Sequence, residues 1–505
     1  MLVSRIESIL PSPLVRRKDA LEYHISKVSV RLLLRIRASR GKLIHWGMPL
    51  LILALGFPLG WFMGTLESRG INSLIIVGAL FAPLLIIVLQ LTLTRFDLSP
   101  LFILFAALFL PIKLPTGTDS TIVDSLLFAM LFTGNWVLRM FLEERRSSIK
   151  PCIVNLPVFF FALTTFWSLI WSMFFMDPLV YVKGNFPIVQ GAAAAVNVML
   201  PVTMLLLPNH IDSIKKLQWM IILMLVGGVF SLFGRFLGAS FLMVAINDGG
   251  LFTMCVAASG LGIGLFHEKL AWKWRILALV IGVSLQLFRF TRDIAWMGGW
   301  LPGFLALGTL LFMRSKKLLF ACILGAVLIA LANLSFIQAQ LESEGKESGE
   351  TRELAWQMNW TLTSKHIVFG MGQASYVNYY ISYKTFGKTQ LQATHNTIID
   401  ILCQNGIFGL FSFFWMFMSI MWANFKLTMR VRGRRDFVEA AANISLAASV
   451  SSFVSSDFGD WMFPFAYTQT IAGFDYIVFS WLFMGIGLAL DQLVPREQPS
   501  KKILA

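Results

Sequence analysis

The sequence predicts an all-α polytopic membrane protein with about 14 transmembrane helices and one large periplasmic loop that carries short helices of its own. Three observations lead there. The 505 residues are 57% hydrophobic and only 14% charged, with a mean hydropathy of +0.72. Apolar runs of about twenty residues, enough to cross a bilayer core as a helix, recur along nearly the whole chain. Roughly three-quarters of the 42 Lys and Arg residues fall in short loops that alternate along it, the pattern of cytoplasmic loops. The formal charge of +15 is therefore read as membrane orientation, with lipid as a partner and no nucleic acid.

Taken in order, residues 1–45 carry about ten basic residues, including Arg16-Arg17-Lys18, Arg31, Arg35 and Arg37. No apolar core follows these charges before residue 46, so the segment reads as a cytoplasmic amphipathic arm on anionic lipid, and not as a cleaved signal. Helices are expected over 46–64, 72–94, 98–115, 122–142, 152–175 and 188–207, which with their loops form an amino-terminal block over 46–215. A second block, 216–337, holds helices over 218–237, 248–266, 274–290, 296–313 and 317–337. The large loop occupies 338–394. The last helices, 396–423, 437–455 and 470–491, make up residues 395–491, ahead of a tail over 492–505.

With the amino terminus inside, the loops at Glu143 to Arg146, Lys215-Lys216, Lys269 to Arg275, Arg314 to Lys317 and Arg430 to Arg435 are cytoplasmic, and so is the tail. Each is basic. This orientation places 338–394 outside the cytoplasm. That loop has apolar surface to bury, in Trp356, Trp360, Phe369, Tyr376, Tyr379, Tyr380 and Tyr383. Residues 352–368 show loose helical spacing, Gly370-Met371-Gly372 breaks it, and Ser375 to Tyr383 begins a second short helix. Tyr376 and Tyr379 read either as an interfacial aromatic belt or as platforms for stacking sugars.

Several charges stand on the wrong side for the orientation. Arg235 closes an apolar helix at its outer end, and Arg289 and Arg292 close another in Phe288-Arg289-Phe290-Thr291-Arg292-Asp293. Each either snorkels to the interface or contributes a planar fork of donors to a phosphate clamp. Arg352 either joins such a clamp, binds an acceptor, or pairs with Glu350 or Glu353. Asp293, Asp457 and Asp460 are carboxylates available as a base or as partners for neighbouring arginines.

His395 stands where the large loop meets a new apolar run, in Thr394-His395-Asn396-Thr397. A titratable ring there meets a lipid-linked substrate while still exchanging protons with water. The chain has no HExxH, no DxD and no paired histidines at ligand spacing, and it has no P-loop or dinucleotide fingerprint, so no metal and no cofactor are indicated. The four cysteines, Cys152, Cys255, Cys322 and Cys403, lie in or beside apolar runs and read as small core residues.

His395-Asn396, then nine residues, then Gly406-Ile407-Phe408-Gly409 resembles the signature of the O-antigen ligase and Wzy-type polymerase superfamily. Arg352, Trp356 and Phe369-Gly370-Met371-Gly372 are similar to the family's approach to that histidine from its periplasmic loop. Phe290-Thr291-Arg292 and Arg235-Phe236-Leu237-Gly238 look like its two outer arginine segments, although Thr291 and Asp293 depart from the usual neighbours and the Asn-rich stretch is reduced to Asn247. The resemblance implies an inverting, metal-independent glycosyltransferase working on the periplasmic side. Its donor would be a glycan on undecaprenyl pyrophosphate. His395 would serve as base, Arg235 and Arg292 with Arg289 would hold the pyrophosphate, and Asn396 would lie within the substrate-binding set. The acceptor would be a lipid-linked repeat unit, for a polymerase, or lipid A-core or a protein, for a ligase; chain length and the extra amino-terminal helices lean towards the polymerase. A transporter of the same lipid-linked sugar is the alternative of a different class, but it would place its charges near the bilayer midplane and show an internal repeat.

Overall fold

A computed structural model of the chain describes residues 95–110, 112–116, 120–144, 148–236, 249–292, 294, 296–335, 338–339, 350–383, 395–459, 461–465 and 470–495. The expected arm over 1–45, the helices over 46–64 and 72–94, the tail beyond 495, and Asn247, Asp293 and Asp460 lie outside the described residues.

Among the described residues the fold is helical apart from one small ribbon. The helices of the amino-terminal half are α1 (Ser99–Phe109), α2 (Asp124–Arg139), α3 (Asn155–Phe175), α4 (Phe186–His210), α5 (Ile214–Phe236), α6 (Gly250–Phe266) and α7 (Trp272–Arg292). They are followed by α8 (Met297–Arg314), α9 (Lys316–Ala332), α10 (Glu350–Thr363), α11 (Tyr376–Ser382), α12 (Thr397–Val431), α13 (Phe437–Ser455) and α14 (Phe474–Leu493). Eight helices among the described residues are long and apolar enough to cross a membrane, and the shorter α1 and α6 are also apolar. The expected helix over 98–115 is corrected: it ends at Phe109, and Lys113–Pro115 (β1) pairs antiparallel with Thr121–Val123 (β2), Leu114 opposite Ile122. Proline at 111 and 115 explains the early stop, since it lacks the amide proton a helix needs.

Helices α6, α13 and α14 form the buried centre. Small residues let them approach closely: the α-carbon of Gly260 packs on the backbone of Gly282 in α7, and Gly262 leaves room for Ile444 in α13. The basic turns gather at one end of this bundle. Lys269 N donates to the Arg435 carbonyl at 3.1 Å, and Glu268 pairs with Arg314 at 2.9 Å and with Arg435 at 3.4 Å. The alternation of helices then carries the carboxyl ends of α5 and α7 and the amino end of α12 to the opposite end.

Helix α12 contains the feature that shapes this opposite end. Its 35 residues would reach about 50 Å if straight, well beyond a hydrocarbon core of about 30 Å. Its neighbour α13 returns in only 19 residues to a point where the Ser456 carbonyl accepts from Thr397 N at 2.8 Å. Both can hold only if α12 turns, and it does so at Gly406 (φ 67°, ψ −167°), a conformation confined almost entirely to glycine. Residues 397–405 therefore form a separate half-helix.

The break exposes main-chain groups that need partners in an apolar setting. The loop after α10 supplies them. Met371 N donates to the Cys403 carbonyl at 2.8 Å, Gly372 N to the Gln404 carbonyl at 3.1 Å, and Ile407 N to the Ile367 carbonyl at 2.8 Å. Gly370 (φ 76°) lies so close to Gln404 that any Cβ would overlap its carbonyl. Side chains complete the seal: Asn197 donates to Gln373 at 2.8 Å, Gln373 to Asn405 at 2.6 Å, and Asn405 to Thr165 at 2.9 Å. Ser168 and Gln190 extend this buried network to Gln404 and Ser375.

Gly406→Ala forces a Cβ onto the Val368 carbonyl at a positive φ. The expected cost is at least about 2 kcal/mol, read as a lower midpoint of thermal unfolding in detergent with residues 367–372 newly open to proteolysis.

Candidate active site

His395 is exposed and sits at φ 47°, a left-handed conformation for a residue with a side chain, immediately before the half-helix of α12. The two residues after it fix that turn. Asn396 caps the half-helix, its amide oxygen accepting from Ile399 N at 3.0 Å. Its amide nitrogen donates to the Asp457 carboxylate at 2.7 Å and to the Asp457 carbonyl at 3.1 Å. Thr397 Oγ1 donates to the Gly459 carbonyl at 2.7 Å. Both ends of the Asn396 amide are thus engaged in holding the turn.

Residues 456–459 hold the two residues after His395, and Trp461 beside them reaches Arg289 by way of Trp296. Trp461 is 7% exposed and packs against Gly250, Gly298 and Gly459, where added Cβ atoms would come within 3.1, 2.5 and 2.5 Å of its ring. Its ring centroid lies 5.9 Å from that of Trp296, and the Arg289 guanidinium lies 5.8 Å from the Trp296 ring. Arg289 is 5% exposed. Arg235 and Arg292 share a different ring, Phe288, with guanidinium carbons 5.7 and 5.8 Å from its centroid. Arg292 is exposed and Arg235 half-buried. The structure thus brings Arg235 and Arg292 together over Phe288, and places Arg289 over Trp296, which Trp461 joins to the turn after His395.

Other predicted residues lie elsewhere. Arg352 falls in the first turn of α10, and its side chain is outside the described set. Tyr376 and Tyr379 are 0% and 2% exposed. They belong to a small core with Val180, Leu362, Met371, Tyr380 and Cys403, so neither presents an open ring face to a sugar. Burying their ring area holds this lobe together. The loop between α3 and α4 is tied to that lobe, with Asp177 N donating to Tyr379 Oη at 3.2 Å and Tyr383 Oη donating to the Asp177 carboxylate. Sequence reasoning missed Trp296, Trp461 and the carbonyls of Ser456 and Gly459. The glycine pair at 298–299, between Trp296 and Trp300, was the available signal.

The arrangement offers one exposed imidazole, held by a fixed turn, and a group of guanidinium donors at the same end of an apolar bundle. Such a set can take a proton from a hydroxyl while stabilising an anionic leaving group. Fold and site together define a polytopic membrane protein whose charged site lies at the end opposite its basic turns. The O-antigen ligase family model matches residues 189–414, a span that contains Arg235, Arg289, Arg292, His395 and Gly406 and bears out the resemblance read from the motif. Among curated proteins none matches the chain.

The outer lobe carries one titratable group whose sign can be worked out. His366 is half-buried with its ring 5.1 Å from that of Tyr379. Burial lowers its pKa, the Asp177 carboxylate opposing and Lys365 adding to the shift. The folded lobe therefore disfavours the cation, the unfolded chain binds more protons, and stability falls as pH drops below about 6.5. Amide exchange in α10 and α11 should accelerate in that direction, and His366→Gln should flatten the dependence; an unchanged profile in the variant would assign it to another group.

Proposed function

We propose that the chain is a membrane glycosyltransferase that moves a glycan from undecaprenyl pyrophosphate to an acceptor sugar on the periplasmic face of a bacterial inner membrane. The observation that carries this is the linkage of the turn after His395 to Arg289 through Gly459, Trp461 and Trp296. The acceptor hydroxyl gives its proton to His395 as its oxygen bonds to the anomeric carbon. The bond from that carbon to the pyrophosphate oxygen breaks in the same displacement, which inverts the anomeric centre. Arg289, Arg292 and Arg235 bind the departing pyrophosphate and stabilise its growing charge. This inventory calls for no metal, since pyrophosphate is already a good leaving group.

The family's description as an O-antigen ligase supports a glycan acceptor such as lipid A-core. The expected extra amino-terminal helices favour a polymerase, in which the acceptor is a second lipid-linked repeat unit. Either acceptor uses the same clamp and base.

His395→Ala and Arg292→Ala, assayed in membranes with a lipid-linked oligosaccharide, should insert normally and lose about 100-fold or more of undecaprenyl pyrophosphate release. Adding lipid A-core, or donor alone, then separates ligase from polymerase. Full product formation by both variants would refute the proposal.

A further inference from the structure

We infer that the seam between α3 and α12 seats the lipid tail of the acceptor, and that this tail is a single polyprenyl chain. The inference rests on the proposed function and names the acceptor class that it leaves open.

Below the break at Gly406 the seam opens into a cavity of about 550 Å³. Two small side chains make room for it. Thr164 and Ser412 face each other at 3.1 Å, with the rings of Phe160, Phe408, Phe411 and Trp415 around them. Both hydroxyls also donate to the preceding turn, Thr164 to the Phe161 carbonyl at 3.0 Å and Ser412 to the Gly409 carbonyl at 2.8 Å. They are thus satisfied within the protein, and the rest of the lining is apolar, so the occupant is a hydrocarbon chain.

Depth decides which chain. The 21 residues of α3 rise about 31 Å, close to the full thickness of a hydrocarbon core. Thr164 lies about 16 Å below the outer end at Phe175, and Phe160 about 22 Å below it. Phe408 stands one turn above Ser412, so the cavity runs from about 10 to about 22 Å deep and straddles the midplane. An acyl chain of either leaflet reaches about 15 Å, half of the core. A polyprenyl chain is long enough to cross, whereas the acyl chains of lipid A stay within one leaflet.

Connectivity decides which substrate. Helix α3 packs on α4 and α12, while α7, with Arg289 and Arg292, packs on α5, α6 and α8. Ile407, at the top of the cavity, follows Gly406 directly, and the half-helix over 397–405 rises from there about 14 Å to the His395 turn. Aromatic rings continue upward from the cavity. Phe369 stacks on Phe408 at 5.8 Å and lies 4.7 Å from Trp171, which stacks on Phe175 at 4.1 Å. A tail in the seam therefore delivers its head group to the proposed base from the side away from the clamp, which is the place of the acceptor.

The test uses the full chain in nanodiscs with three probes, each carrying a photoreactive diazirine in its hydrocarbon: undecaprenyl pyrophosphate, phosphatidylglycerol and lipid A. Undecaprenyl pyrophosphate should label residues 160–164 and 407–415 more than either other probe does, and equally in the wild-type chain and in Arg292→Ala. Thr164→Leu fills the cavity. It should cut this labelling about tenfold, the loss expected when about two methylenes are displaced, and raise the KM for a lipid-linked oligosaccharide acceptor with kcat unchanged. A seam left unlabelled in the wild-type chain would overturn the inference, as would equal labelling by phosphatidylglycerol, which marks ordinary bilayer lipid. Preferential labelling by lipid A, or loss of labelling in Arg292→Ala, would overturn it too, the first by assigning a ligase acceptor and the second by assigning the donor's tail. A chain labelled as expected that releases no undecaprenyl pyrophosphate from a lipid-linked oligosaccharide would overturn the proposed function on which the acceptor role rests.

Discussion

The site depends on the repair of a broken helix. Gly406 turns α12 out of its axis, and the turn is tolerable only because residues 367–372 pair with the main chain on both sides of it. Without those bonds the freed carbonyls and amides would sit unpaired in an apolar environment at a cost of several kcal/mol. The loop can come that close because Gly370 has no side chain. The small-residue signature eleven residues beyond His395 is therefore structural in meaning: it sets where the half-helix starts, and so where the imidazole stands.

From this constraint the rest follows as a chain of contacts. The half-helix brings Asn396 and Thr397 to the segment after α13, which binds both. That segment presents Trp461 to the glycines of α6 and α8, and Trp461 lies beside Trp296 and so beside Arg289. Charge is sorted accordingly. Basic residues in the turns at one end are paired with Glu268 and Asp436, while the arginines at the other end lie over the rings of Phe288 and Trp296.

Much of this was legible in the sequence, for reasons that also mark the limit. Apolar length located the helices in the described part of the chain, because hydrocarbon thickness constrains each one locally. The expected 437–455 coincides with α13, and 274–290 lies within α7. Outer arginines and the histidine stood out because charge on the wrong side of an apolar helix needs a reason. What escaped was non-local. Gly406 stood out only as part of the signature, and only the partner loop shows that α12 breaks there. Tyr376 and Tyr379 read as surface residues because four tyrosines in eight positions fit a belt, whereas residues from the loop between α3 and α4, from α10 and from α12 close over them. The bond from Asn396 to Asp457 joins positions 61 residues apart, beyond any local pattern.

The central claim is that the break at Gly406 holds the His395 turn against the segment leading to the arginines. An experimental structure of the full chain with undecaprenyl pyrophosphate in a lipid nanodisc tests it most directly. The account predicts a helix interrupted at Gly406, main-chain bonds from residues 367–372 to residues 403–407, and both phosphates within hydrogen-bonding distance of the Arg289 and Arg292 side chains, with the His395 ring facing the anomeric carbon side. A continuous helix through Gly406, or phosphates bound at the opposite end of the bundle, would contradict it.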